Sequence, residues 1–218
     1  MAYTGAVRVG GPADVHELTD LVISKVAVGP MDNNAYLLRC RSTGEQLLID
    51  AAEEPDTLLQ LIGPDGLSGV VTTHRHGDHW QALSTVVAET GARTYAGRFD
   101  AEGIPVHTDV PVSDGDTVPV GRVQLTARQL VGHTPGSIAL VYDDPHGHPH
   151  VFTGDCLFPG GVGNTRGDPA AFAELLHDVT AKLFDRLPDE TWVYPGHGAD
   201  TTLGAERPHL GEWRERGW

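Results

Sequence analysis

With 218 residues and 39% apolar content, the chain suits a single domain over residues 1–218 with a substantial core. A formal net charge of −15 argues against nucleic-acid backbone or an anionic membrane surface as partner, and two cysteines, Cys40 and Cys156, are too few for a disulfide framework. Met1 to Gly11 lacks a basic region followed by an apolar run and no apolar stretch is long enough to cross a bilayer, so a cytoplasmic location is expected.

Leu21 to Val28 alternates like a half-buried strand, and Ala35 to Cys40 and Gln46 to Ile49 read as the next two, with Asp50 closing the third. Thr57 to Ile62 predicts a short helix stopped by Gly63-Pro64. Gly69 to Thr73 is a β-branched run that reads as a buried strand, and a helix from about Gln81 to Thr90 and a strand from Ala92 to Ala96 follow. Val106 to Leu130 is β-rich, broken at Ser113-Asp114-Gly115-Asp116 and at Val120-Gly121-Arg122. Ile138 to Tyr142 and Val151 to Thr153 predict two strands around a turn holding His146, His148 and His150, which reads as a polar hairpin tip. Ala170 to Leu187 has helical periodicity, and Trp192 to Tyr194 is a last short strand. In the tail, Trp213 and Trp218 are expected to pack against the body. Many strands with helices between them predict an α+β chain in which two sheets pack face to face beneath outer helices.

Between the fourth predicted strand and its following helix stands Thr72-Thr73-His74-Arg75-His76-Gly77-Asp78-His79, which sets four metal-ligating side chains within six residues. His74 and His76, two apart in extended backbone, point the same way. Gly77 permits a sharp turn, after which Asp78 and His79 come back toward the same point. Three further candidates, His133, Asp155 and His197, end strand-like runs and each follows a glycine. Imidazoles with carboxylates suit zinc, iron or manganese. His16, His107, His177 and His209 are isolated and read as surface or capping residues.

These motifs, in this order and spacing, resemble the metallo-β-lactamase superfamily, above all its glyoxalase II-like (hydroxyacylglutathione hydrolase-like) branch, from about residue 21 to 200. The resemblance implies a four-layer αββα sandwich with a binuclear metal site at one edge of the two sheets. It implies that His74, His76 and His133 hold one divalent ion and Asp78, His79 and His197 a second, with Asp155 bridging them. Zinc is the first expectation for both, with iron or manganese as alternatives, and Asp78 and Asp155 are the expected catalytic carboxylates. The activity implied is hydrolysis of a small acyl thioester, with a metal-bridging hydroxide as nucleophile. Asp50 matches a position where the family carries an Asp behind the first ligand loop; it either orients a ligand imidazole or simply ends its strand.

The resemblance thins at several positions. Asn164 stands where glyoxalase II enzymes usually carry a basic residue that holds glutathione, and Ala199 where they carry an aromatic. Their C-terminal helical domain does not fit in the 21 residues after His197. Arg166 is expected either to take over an anion contact or to be a solvated loop residue, and Trp80 either to line a substrate wall or to pack under its loop. Only 41 residues separate Asp155 from His197, too few for the inserted domain of the superfamily's nucleases. The alternative expectation is a mononuclear iron persulfide dioxygenase, which would use His74, His133 and Asp155. A metal-binding protein without turnover is the third.

Overall fold

The computed structural model describes residues 2–217. Its first sheet holds β1 (Asp14–Glu17), β2 (Leu21–Val28), β3 (Asn33–Cys40), β4 (Gln46–Ile49), β5 (Gly69–Thr72), β6 (Arg93–Gly97) and β7 (Val110–Val112), side by side in chain order. The strands from β1 to β4 form an antiparallel meander, and β4 to β7 run parallel. Parallel neighbours need a crossover, which α1 (Pro55–Ile62) and α2 (Leu83–Thr90) supply on either side of β5. Next come β8 (Thr117–Val120), β9 (Val123–Gln129), β10 (Ile138–Tyr142) and β11 (His150–Gly154), then a small hairpin of β12 (Leu157–Phe158) and β13 (Gly161–Val162). The helix α3 (Pro169–Val179) crosses to β14 (Trp192–Pro195), which lies parallel to β11, and β15 (Thr201–Thr202), α4 (Leu203–Glu206) and α5 (Leu210–Arg216) follow. The second sheet has the order β15-β14-β11-β10-β9-β8.

Side-chain alternation sorts the chain into four layers. In β2, Leu21 and Ile23 face the other sheet, whereas Val26 and Val28 face the helices. The inner faces of both sheets meet through Leu38, Leu47, Ile49 and Val71 on one side and Leu125, Leu140 and Phe152 on the other. The first sheet's outer face is covered by Leu58 and Ile62 of α1 and by Leu83 and Val86 of α2. The second sheet's outer face is covered by Phe172, Leu175, Leu176 and Val179 of α3 and by Trp213 of α5. Each such buried side chain contributes about 1.5–3 kcal/mol of transfer free energy. The architecture is the expected αββα sandwich.

Several local expectations change. The predicted helix from Gln81 begins at Leu83, because the N–H groups of Gln81 and Ala82 donate instead to Ala52 and Ala51 carbonyls. The periodic segment after Ala170 is α-helical only to Val179 and then widens through Thr180–Phe184. There the Thr180 hydroxyl donates to the Leu176 carbonyl at 2.6 Å and Asp185 N reaches back to Thr180 O. The short strands β1, β12, β13 and β15 and the helices α4 and α5 were not expected. Trp213 is buried, 1% exposed; Trp218 lies outside the described residues.

His150 is not part of a polar tip. It opens β11, is 1% exposed, and places Nδ1 3.0 Å from the Tyr194 hydroxyl, because its even register with Phe152 turns it inward. His16 is not an ordinary surface residue either: its Nδ1 lies 2.8 Å from the same hydroxyl and its ring stacks on Tyr3.

Candidate metal centre

Strand ends deliver the site. The first sheet contributes His74, His76, Asp78 and His79 from the loop that follows β5. The second contributes His133 after β9, Asp155 after β11 and His197 after β14. Glycines allow the close approach. A Cβ on Gly196 would collide with Asp155 Oδ1, and one on Gly154, at φ +48, would sit 2.6 Å from Thr73 Oγ1.

All seven expected side chains converge, in two outer groups joined by a third, His74, His79 and Asp155, that shares one residue with each. His74, His76 and His133 form one: His76 Nδ1 lies 2.9 Å from His133 Nε2, which lies 3.3 Å from His74 Nε2. Asp78, His79 and His197 form the other, with Asp78 Oδ2 3.4 Å from His79 Nε2 and 3.3 Å from His197 Nε2. Asp155 lies between them. Its Oδ1 is 3.4 Å from His79 Nε2, and its Oδ2 is 3.7 Å from His133 Nε2 and 3.6 Å from His197 Nε2.

The outer nitrogens are held by the protein, which fixes each ring's orientation. His133 Nδ1 donates to Asn164 O at 2.8 Å and His197 Nδ1 to Met31 O at 3.0 Å. His79 Nδ1 lies 2.8 Å from Asp50 Oδ2. The Thr73 hydroxyl gives its one proton to Asp50 Oδ2 and therefore accepts from His74 Nδ1, 3.1 Å away. Asp50 also accepts from Thr73 N and adopts φ 59, a left-handed conformation that Asp tolerates. His76 is reversed: Nδ1 faces inward and Nε2 meets Arg166 Nη2 at 3.2 Å.

The donor set fits a cation. His79 Nε2 and Asp155 Oδ1 are buried, face one another, and have no hydrogen-bond partner. Such atoms are costly unless a charge sits between them. Burial alone would push the His79 imidazolium down, but Asp50 and Asp155 outweigh it and hold it up at about 10. Burial and then the neighbouring histidines keep His74 far below the ordinary imidazole range, as basic nitrogens with free lone pairs should be. The His197 hydrogen bond, against burial, keeps Asp78 well below the usual carboxylate range.

An open cleft of about 590 Å³ lies beside the first group, lined by Arg75, His76, His133, Thr134, Thr165 and Arg166. Asn164 contributes its carbonyl to His133 and its side chain to Arg166 N, so it supports the loop. Trp80 packs under its own loop, with Nε1 donating to Arg75 O at 2.9 Å. Cys156 is buried in the core under α3, where burial pushes its thiol up.

Two further residues shape the site without a sequence signal. The buried Asp100 accepts from Arg75 N at 3.0 Å, from Gly136 N at 2.9 Å and from the Thr134 hydroxyl, so it clasps the His76 loop to the His133 loop. Asn33 donates to Asp78 Oδ2 at 2.9 Å.

Known proteins resemble this chain in sequence and in fold. Residues 28–197 match the model of the metallo-beta-lactamase superfamily. A hydroxyacylglutathione hydrolase of Polaromonas sp. is 35% identical over 182 residues, covering 81% of this chain and 66% of the relative. The human mitochondrial persulfide dioxygenase ETHE1 is 34% identical over 166 residues, covering 74% of this chain and 62% of the relative. The chain thus spans under two thirds of these relatives' own length. Among solved structures, TTHA1623 in a di-iron-bound form superposes with a TM-score of 0.70 and 33% identity, covering 84% of this chain and 96% of that one.

Proposed function

The chain belongs to the metallo-beta-lactamase superfamily, and from that premise we propose that it is a hydrolase of small acyl thioesters working with two divalent ions. The observation that carries the reading is the pair of three-residue groups with Asp155 between them. His74, His76 and His133 would hold one ion and Asp78, His79 and His197 the other, Asp155 serving both. Zinc suits the imidazole-rich set best, and iron or manganese also fit. Bound there, the ions supply Lewis acidity, lowering the pKa of water to roughly 7 and polarising a carbonyl.

The chain's own residues do the rest. Asp78 and Asp155, both held below the usual carboxylate range, would bring two negative charges against the two ions and leave the centre cationic enough to attract an oxyanion. Asp50, Thr73, Asn164 and Met31 hold the ligand rings in one orientation each. Arg166, at the mouth of the cleft beside His76, offers a donor to an anionic part of the substrate. Among the described residues, the acidic side chain that lines the cleft, Asp168, is engaged in capping α3, and a thiolate departs without a proton donor. The relatives named as hydroxyacylglutathione hydrolases favour the same chemistry. Asn164 stands where a basic carrier-binding residue would be, which favours a small thiol carrier other than glutathione.

A second reading, a persulfide dioxygenase, draws on the relative of that name and on the contiguity of His74, His133 and Asp155. One experiment separates the two. A panel of thioesters is assayed beside oxygen uptake with a persulfide. Thioester cleavage that chelator removes and zinc or manganese restores supports the first reading; oxygen consumption without hydrolysis replaces it with the second.

A further inference from the structure

We infer that Asn33, at the start of β3, is a positioning residue that decides whether the group of Asp78, His79 and His197 holds an ion; this rests on the paired-ion reading above. The Asn33 side chain is completely buried. Its Nδ2 donates to Asp78 Oδ2 at 2.9 Å and lies 3.4 Å from His197 Nε2, so one amide faces two of the three donor atoms of that group.

The other end of the amide shows what this arrangement sacrifices. Asn33 Oδ1 is buried without a hydrogen-bond partner. A buried acceptor left unpaired destabilises a fold, so an amide kept in that position needs a reason at its other end. The orientation is dictated by charge. Turning the amide over would press Oδ1 against the Asp78 carboxylate, acceptor on acceptor, and bury an N–H with no partner instead.

The backbone around Asn33 points to the same task. Asn33 and His197 form an isolated β-bridge, Asn34 N donates to Gly196 O at 2.7 Å, and Met31 O takes the His197 Nδ1 proton. The stretch from Met31 to Asn34 therefore sets the ring of His197, its loop and the carboxylate of Asp78 together. The other group is oriented by Thr73 and Asn164. The two groups can be perturbed separately.

The test uses the full chain stripped of metal, with zinc equivalents and dissociation constants read by chelator competition and Tm read without metal. Asn33→Leu removes both polar ends at similar volume and relieves the unpaired acceptor. Wild type is expected to take two equivalents. The variant should keep the first at wild-type affinity and bind the second about 10–100-fold more weakly, as loss of an outer partner of a metal ligand typically does. Its metal-free Tm should hold or rise. Asn33→Ala carries the same expectation for the second equivalent should the leucine variant not fold. Unchanged binding of both equivalents in the variants would overturn the inference alone. So would a fall in metal-free Tm that weakens both equivalents together, the mark of a purely structural role. A wild type that takes one equivalent would overturn both the inference and the paired-ion reading.

Discussion

Asp50 Oδ2 lies 2.8 Å from His79 Nδ1 at the floor of the site, and both side chains are buried. The same carboxylate takes both donors of Thr73, so three donors converge on one residue. Asp50→Ala is therefore expected to destabilise the metal-free chain by about 3 kcal/mol, the cost of leaving buried polar partners unpaired. Denaturant unfolding measures it, and a loss under 1 kcal/mol would show that these donors find other partners.

Asp155 is placed against members of both groups. Asp155→Asn should lower the metal content and abolish turnover while the far-ultraviolet circular dichroism stays that of wild type, because the sandwich core does not involve it. Cys156→Ser next to it should retain most activity, since Cys156 is buried in the core under α3. Full activity in Asp155→Asn would remove it from the proposed centre.

Chelator should remove thioester hydrolysis and lower Tm together. An ion that binds only the folded chain stabilises it by RT ln(1 + [L]/Kd), about 2.7 kcal/mol at a hundredfold excess over Kd. Calorimetry with and without excess zinc reads the shift. An unchanged Tm would mean that the converged side chains do not bind zinc in the folded state.

His150 gives a pH dependence that does not involve the centre. Burial, then His148 and His16, push its pKa down to about 3, whereas an unfolded histidine titrates near 6.5. The folded chain therefore keeps it neutral while the unfolded chain takes up a proton, so its contribution is complete above about 6.5 and is lost as pH falls toward 3. Between pH 7 and pH 5 the loss is about 2 kcal/mol. His150→Gln should flatten the slope of stability against pH across that window. An identical slope in the variant would show that His150 does not set it.

Sequence legibility followed the range of the interactions. The convergence of the seven candidate side chains could be read because local rules place it: an alternating pair, His74 and His76, a glycine turn, and three strand-end residues each preceded by glycine. The strands β2, β4 and β10 carry their apolar runs openly and end where expected. Asp100 and Asn33 left no such trace. Asp100 meets Thr134 across 34 positions and Asn33 meets His197 across 164, and neither residue type stands out in its own neighbourhood. His150 was misread for the same reason: its partner Tyr194 is 44 positions away, and only sheet register shows that the ring turns inward. The helix that widens after Val179 also lay beyond a periodicity argument, because the apolar spacing survives the change of winding.

Each three-residue group draws on both halves of the sandwich: His74 and His76 follow a strand of the first sheet and His133 one of the second, just as Asp78 and His79 oppose His197. Any ion held by either group would thus cross-link two sheets that otherwise meet through side chains and a few backbone hydrogen bonds such as Asn34 N to Gly196 O and Ile138 N to Thr73 O. Partial openings in which one sheet swings off the other would have to break ligand bonds first. Amide hydrogens of β5 and β14 should then exchange by global unfolding in the loaded chain and by a cheaper, local route in the stripped one. In that sense an occupied centre would also latch the two sheets together.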